Sequence, residues 1–124
     1  MIASGDLTIM RSYFGNSIQE TSNNTGLYIG KELSNSNIVM GFEDETDTGN
    51  NYDLTDVVVL NSNVIVNVKG LSIRIGDDKS KFGNYLFNST DSSYNFTDAD
   101  TGSVGLSFKI NNSNKVSEIE LICF

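Results

Sequence analysis

The chain has 124 residues, 38% hydrophobic and 10% aromatic, enough for one buried core and hardly two, so residues 1–124 are expected to form a single β domain. Lys and Arg number 8 against 16 Asp and Glu, a formal net charge of -8 that repels phosphate backbones and anionic membranes and argues against nucleic acid as a partner. There is no His, Pro or Trp and a single Cys, which removes the side chains most hydrolytic triads, zinc sites and disulfide frameworks are built from.

In chain order, Met1-Ile2-Ala3-Ser4-Gly5-Asp6 lacks the basic start and apolar run of a secretory leader, so the chain is expected to be made in the cytoplasm. No segment approaches the roughly 18 apolar residues of a membrane span, and no membrane insertion is expected. Strands are predicted at Leu7–Phe14, Thr25–Ile29 and Ile38–Phe42. The β-branched runs Val57–Leu60 and Val64–Val68, separated by Asn61-Ser62-Asn63, read as a hairpin. Lys69-Gly70 turns the chain into the alternating strand Leu71–Ile75, and a short helix is allowed only around Asp78–Tyr85. Leu106–Ile110, the turn Asn111–Lys115 and a last strand Val116–Phe124 follow, with Cys123 as a buried thiol.

Seven or eight short strands joined by Gly, Asn, Asp and Ser turns predict an all-β fold, an antiparallel β-sandwich or jelly-roll-like barrel. The residues expected inside are Leu7, Ile9, Ile29, Val39, Phe42, Val57, Val59, Ile65, Leu71, Ile73, Phe108, Ile110, Ile119 and Leu121. Gly-started alternations recur at Gly5, Gly26, Gly70 and Gly105, but their unequal spacing does not make a solenoid.

The densest polar chemistry lies between Gly41 and Asp56, where Glu43, Asp44, Glu45, Asp47, Asp53 and Asp56 surround Gly49. A hard cation such as Ca²⁺ takes six to eight oxygen ligands from carboxylates, amides and carbonyls, so Asp44, Asp47, Asp53 and Asp56 are the candidate metal ligands. Without a cation the same loop is a solvated acidic turn needing no cofactor. A second acidic loop, Ser89–Ser103, carries Asp91, Asp98 and Asp100 but lacks the following ligands of a calcium loop. Two carboxyl groups about 5 to 10 Å apart would also serve a glycosidase, for which Glu43 with Asp53 or Asp56 is the pairing to consider. The lack of any Trp to stack a sugar and the short chain argue against it, as does the exposed pattern of Lys79-Ser80-Lys81 against a nucleophilic dyad. Asn-X-Ser/Thr patterns at Asn23, Asn88, Asn95 and Asn111 are expected by chance in a chain this rich in Asn, Ser and Thr.

Phe42-Glu43-Asp44, the Gly/Asp-rich loop after it, then Asp53, Asp56 and Val57-Val58-Val59 resemble the LruC-type domain of bacterial extracellular and outer-membrane-associated proteins, with its Phe-Glu-Asp and Asp-Tyr-Asn-Asp signature. Leu54 and Thr55 stand where that family has Tyr-Asn, and the resemblance covers some twenty residues (42–59). It implies a β-sandwich with an acidic, calcium-binding loop and a role in extracellular or cell-surface assemblies.

From the residues themselves, the missing reactive side chains, the missing leader and the Asn/Ser/Thr-rich surface predict a non-enzymatic assembly module that works through contacts with other protein subunits, as a homo-oligomer (trimer or dimer). The expected place is a virion of a virus or phage, as a capsid decoration, spike or tail-fibre protein. The alternative is a calcium-dependent adhesive or carbohydrate-binding sandwich on a cell surface. Ca²⁺ titration separates the two, because a ligand that binds only the folded state must stabilise it.

Overall fold

The computed structural model describes residues 18–22, 29–44, 52–97 and 104–123. Nine strands run through them: β1 (Gln19–Ser22), β2 (Ile29–Ser34), β3 (Ile38–Asp44), β4 (Asp53–Val59), β5 (Val66–Val68), β6 (Leu71–Ile73), β7 (Ser93–Thr97), β8 (Val104–Ile110) and β9 (Val116–Cys123). Seven form one antiparallel sheet in the order β1-β2-β3-β4-β9-β8-β7, and β5-β6 form a separate hairpin. The fold is all-β and sandwich-like, as the alternation of apolar and polar residues predicts. The expected strand Leu7–Phe14, with its core positions Leu7 and Ile9, lies outside the described residues, as do positions 25–28 of the strand expected to end at Ile29.

Two meanders build the large sheet, β1 to β4 and β7 to β9, and they join where β4 pairs with β9, Val59 standing opposite Ile119 and Val57 opposite Leu121. The last of these strands therefore lies inside the sheet, between β4 and β8. Between the meanders the chain leaves the sheet at Leu60 and returns at Ser93, carrying β5, β6 and a 3₁₀ turn (Lys79–Phe82) as a second layer. That layer packs on the β4-β9-β8-β7 half, where Val59, Ile73, Phe82, Tyr94, Phe108, Ile110, Val116 and Ile119 are buried together. Ile18, Leu33, Ile38, Met40, Phe42, Tyr52, Leu54 and Val57 form the core of the other half.

Aromatic rings hold the second layer down. Phe82 lies flat on Tyr94 with centroids 4.1 Å apart and meets the edge of Phe108 at 5.3 Å. The backbone adds a clasp: Gly76 N–H donates to the Val116 carbonyl, Val116 N–H to Asp77 and Lys79 N–H to Asn114, all at 2.8 Å. Asp78 caps the 3₁₀ turn by accepting from Ser80 N–H, and its other oxygen meets Lys115 Nζ at 3.1 Å. These bonds hold its carboxyl down at about 2, with the Ser80 backbone N–H the larger cause and the Lys115 ammonium the next. Neighbouring Asp77 is also lowered: burial opposes its charge, but the Arg74 backbone N–H and the Lys81 ammonium outweigh it.

The asparagines have structural work at the turns. Asn35 Oδ1 accepts from Asn37 and Ile38 N–H, Asn88 Oδ1 from Thr90 and Asp91 N–H, and Asn111 Oδ1 from Ser113 and Lys115 N–H. Asn61 Nδ2 ties the exit of β4 to the β2-β3 turn through the Ser36 carbonyl and Asn37 Oδ1.

Several expectations need correction. Asn61-Ser62-Asn63 is no hairpin turn: β4 pairs with β3 and β9 while β5 pairs with β6, because the chain changes layer there. The alternation in β3 runs through Ile38, Met40 and Phe42, so Val39 faces the other side and is only half-buried. Ile65 is 49% exposed. Where the sequence allows a short helix around Asp78–Tyr85, the structure has a 3₁₀ turn at Lys79–Phe82, ended by Gly83 at φ 56. Ser93–Thr97, expected as part of a loop, is β7. Cys123 does lie in the last strand, half-buried, with its thiol pKa raised first by burial and then by the nearby Asp56 charge.

Candidate functional site

The acidic stretch is built on the β3-β4 pair. Gly41 stands opposite Asp56 and Phe42 opposite Leu54, so Thr55 is an extra residue and the register shifts there. The bulge swings Leu54 into the core, and the Asp56 carboxylate, accepting from Thr55 Oγ1 at 3.2 Å, lies over Gly41. A Cβ at position 41 would collide with that carboxylate, which is why glycine fits here.

Strand alternation then distributes the four candidate ligands. Asp44 follows Ile38, Met40 and Phe42 on the core side, is fully buried and has its polar contacts within the fold. Asp53 is opposite Glu43, and Asp56 opposite Gly41, on the other face of the sheet. Asp44 is thus not brought together with Asp53 and Asp56, while Asp47 lies outside the described residues. Among the described residues no group of three or more His, Cys, Asp or Glu side chains is placed to hold a metal ion. Of the pairings considered for a glycosidase, Glu43 with Asp53 is directly opposed across the strands, where like charges repel, while Asp56 stands opposite Gly41 on the same face. That face also carries Glu32, Glu118 and Glu120, relieved by Lys109, which reaches Glu118 at 3.9 Å.

The opposite, apolar side offers a cleft of about 200 Å³ between the sheet and the second layer, walled by Val57, Val59, Val64, Ile65, Leu106 and Ile119 with Asn67 the one polar lining residue described. Such a wall can hold an apolar group but offers little to orient a reacting one.

The feature absent from the sequence reading is an edge. Among the described strands the sheet ends at β1 and β7. β1 is four exposed polar residues with Glu20 ion-paired to Lys31 at 3.5 Å, a guarded edge. β7, Ser-Tyr-Asn-Phe-Thr, carries no charge and no proline. Ser93 exchanges both backbone bonds with Asn88, whereas Asn95 and Thr97, which share its outward direction, are exposed and have no partner strand among the described residues. Beside this edge Tyr85 packs edge-on to Phe96 with centroids 5.2 Å apart, and Leu86, next in the chain, is 91% exposed. The signal for it in the sequence was Tyr94 alternating with Phe96, obscured by the hydroxyl and acidic residues around them.

No protein-family model matches the chain, and no curated protein matches it. Among solved structures it is similar to a cysteine-rich secretory protein of Staphylococcus aureus, with a TM-score of 0.51 and 14% identity over 97% of this chain and 44% of that one. The chain therefore spans under half the length of that protein, and at this identity the likeness is one of fold alone.

Proposed function

We propose that this chain is a non-enzymatic assembly module, a virion component of the capsid-decoration, spike or tail-fibre kind, that works by contact with other protein subunits. The observation that carries the reading is the unguarded β7 edge with Leu86 exposed beside it. Natural sheets blunt their edges with charge, proline, bulges or cover, and an edge lacking those devices is a template for an incoming strand. The guarded β1 edge at the other end of the same sheet supports a directional use of the two.

The acidic outer face supports the same reading from the other side. Its carboxylates are flanked by Gly41, Gly105 and Ser107, and among the described residues no walls enclose them to desolvate a substrate. Density-gradient fractionation of particles from the native source, followed by mass spectrometry and antibody labelling of the particle band, tests the proposal. The chain is expected at a fixed copy number in the particle band and at regular positions on it. Recovery only in the low-mass fraction would overturn the reading.

A further inference from the structure

We propose that the strand received by the β7 edge is β7 of a second copy of this chain, paired antiparallel about a two-fold axis at Phe96. The inference rests on the assembly reading above and names the first contact of that assembly.

The backbone directions are fixed by the bonds already made. Ile110 N–H donates to the Ser92 carbonyl and Ser93 exchanges bonds with Asn88, so even-numbered residues of β7 address β8 and odd-numbered ones address the open side. With the axis at Phe96, Asn95 of one copy stands opposite Thr97 of the other, and the two such pairs exchange four N–H···O=C bonds. Phe96 then meets its own copy in the closely spaced pair, where cross-strand aromatic side chains pack best. Tyr85 extends that patch, being already edge-on to Phe96. On the other face an amide from Asn95 lies across from the Thr97 hydroxyl of the second copy. The edge is therefore complementary to itself in backbone and in side chains, as an isologous contact requires.

Charge selects the same occupant. A molecule with net charge -8 meets its own carboxylates on most approaches. Between Asp91 and Asp98, residues 92–97 carry no ionisable acid or base except the Tyr94 phenol, and residues 83–88 beside them none except Tyr85, so the middle of this border is where a like-charged copy can come close. A basic partner would be drawn instead to the acidic face of Glu32, Glu43, Asp53, Asp56 and Glu120. The paired patch is small, at the low end of interface size, so the dimer is weak, with a dissociation constant on the order of 100 µM. Salt should strengthen it by screening the repulsion between copies.

Sedimentation velocity from about 10 µM to about 1 mM tests this on the whole chain, across the expected dissociation constant. The native chain should pass from monomer to dimer, with more dimer at high salt. Asn95→Pro removes an outward-facing N–H together with the side-chain amide that bonds Ser93 Oγ, keeps the β8 ladder and should weaken dimerisation at least tenfold. Leu86→Asp, at a side chain with almost no cover beside the edge, adds a carboxylate to each copy, should do the same and carries the test if the proline variant does not fold. A native chain monomeric throughout the range, or a folded variant that dimerises as the native chain does, would overturn the proposal. A chain monomeric in solution yet regularly placed on particles sinks self-pairing and leaves the assembly reading standing. A dimer absent from particles does the reverse.

Discussion

Replacing Phe82 with Ala tests whether the 3₁₀ turn is part of the core or merely lies on it. Phe82 is 1% exposed, stacked on Tyr94 at 4.1 Å with 5° between the ring planes and set against the edge of Phe108 at 5.3 Å. Truncating a buried Phe costs about 3–5 kcal/mol through lost transfer energy and the cavity left behind. Of this, the ring contacts account for about 0.5–1.5 kcal/mol each. For a chain of this length total stability is expected at about 6–19 kcal/mol, so the variant should stay folded with a large share of its stability gone. Urea unfolding followed by near-ultraviolet circular dichroism reads the loss as a shift in midpoint at constant slope. Phe82→Leu, which keeps most of the volume and loses the stacking, should cost about 1–2 kcal/mol, and a Phe82→Leu/Tyr94→Leu cycle should show coupling of roughly 1 kcal/mol. A loss below about 1 kcal/mol for Phe82→Ala would refute the reasoning, because it would mean that the second layer is not fastened through this ring.

The Asp78 carboxyl lies below its ordinary 3.8, at about 2, so its contribution is complete above the ordinary value and is lost as pH falls from there toward about 2. Asp78→Asn keeps an oxygen to cap the 3₁₀ turn and loses the charge facing Lys115, so its melting temperature should fall less steeply over that window than that of the native chain; parallel slopes would contradict this. Cys123, with its pKa raised by burial and by Asp56, should alkylate with iodoacetamide more slowly than free cysteine at neutral pH, and Asp56→Asn should speed it. A native rate equal to that of free cysteine would count against that environment. Because Asp44 lies on the opposite side of the sheet from Asp53 and Asp56, about 5 mM Ca²⁺ should move the melting temperature by less than about 1 °C, and a clear rise would favour a calcium site in this region.

The period-two pattern carried the fold class because most strands here have one wet face. Leu106, Phe108 and Ile110 alternate with Ser107 and Lys109 in the sequence, and the structure puts Phe108 and Ile110 inside while Leu106 stays half-buried. Where a strand is apolar at successive positions the pattern loses phase. Ile38-Val39-Met40 offers no polar residue to mark the outside, and the side facing the core is decided by pairing with Val57 and Val59. The bulge at Thr55 was illegible for a related reason: the extra residue lies on β4, while the glycine beside it, Gly41, lies on the partner strand and reads as an ordinary strand position. Phe82 is missing from the residues expected inside because its burial depends on Tyr94 and Phe108, distant in sequence.

At the acidic stretch the residue types were legible and their convergence was not. Spacing along the chain places Asp44, Asp53 and Asp56 near one end of a strand pair, but alternation sends the first to the core and the others outward. The β7 edge was harder still, since being at an edge is a property of the whole sheet order and leaves no mark on the strand except the lack of a charge.

The central claim is that the outward backbone groups of β7 find a strand when the protein assembles. Residue-resolved amide exchange measured at about 20 µM and at about 1 mM, on either side of the expected dissociation constant, tests it directly. Asn95 and Thr97 N–H should exchange close to freely in the dilute protein and slow by about threefold to fourfold at high concentration, while the β1 residues Gln19–Ser22 do not change. Equal exchange of Asn95 and Thr97 at both concentrations, or protection that arises at β1 instead, would contradict it.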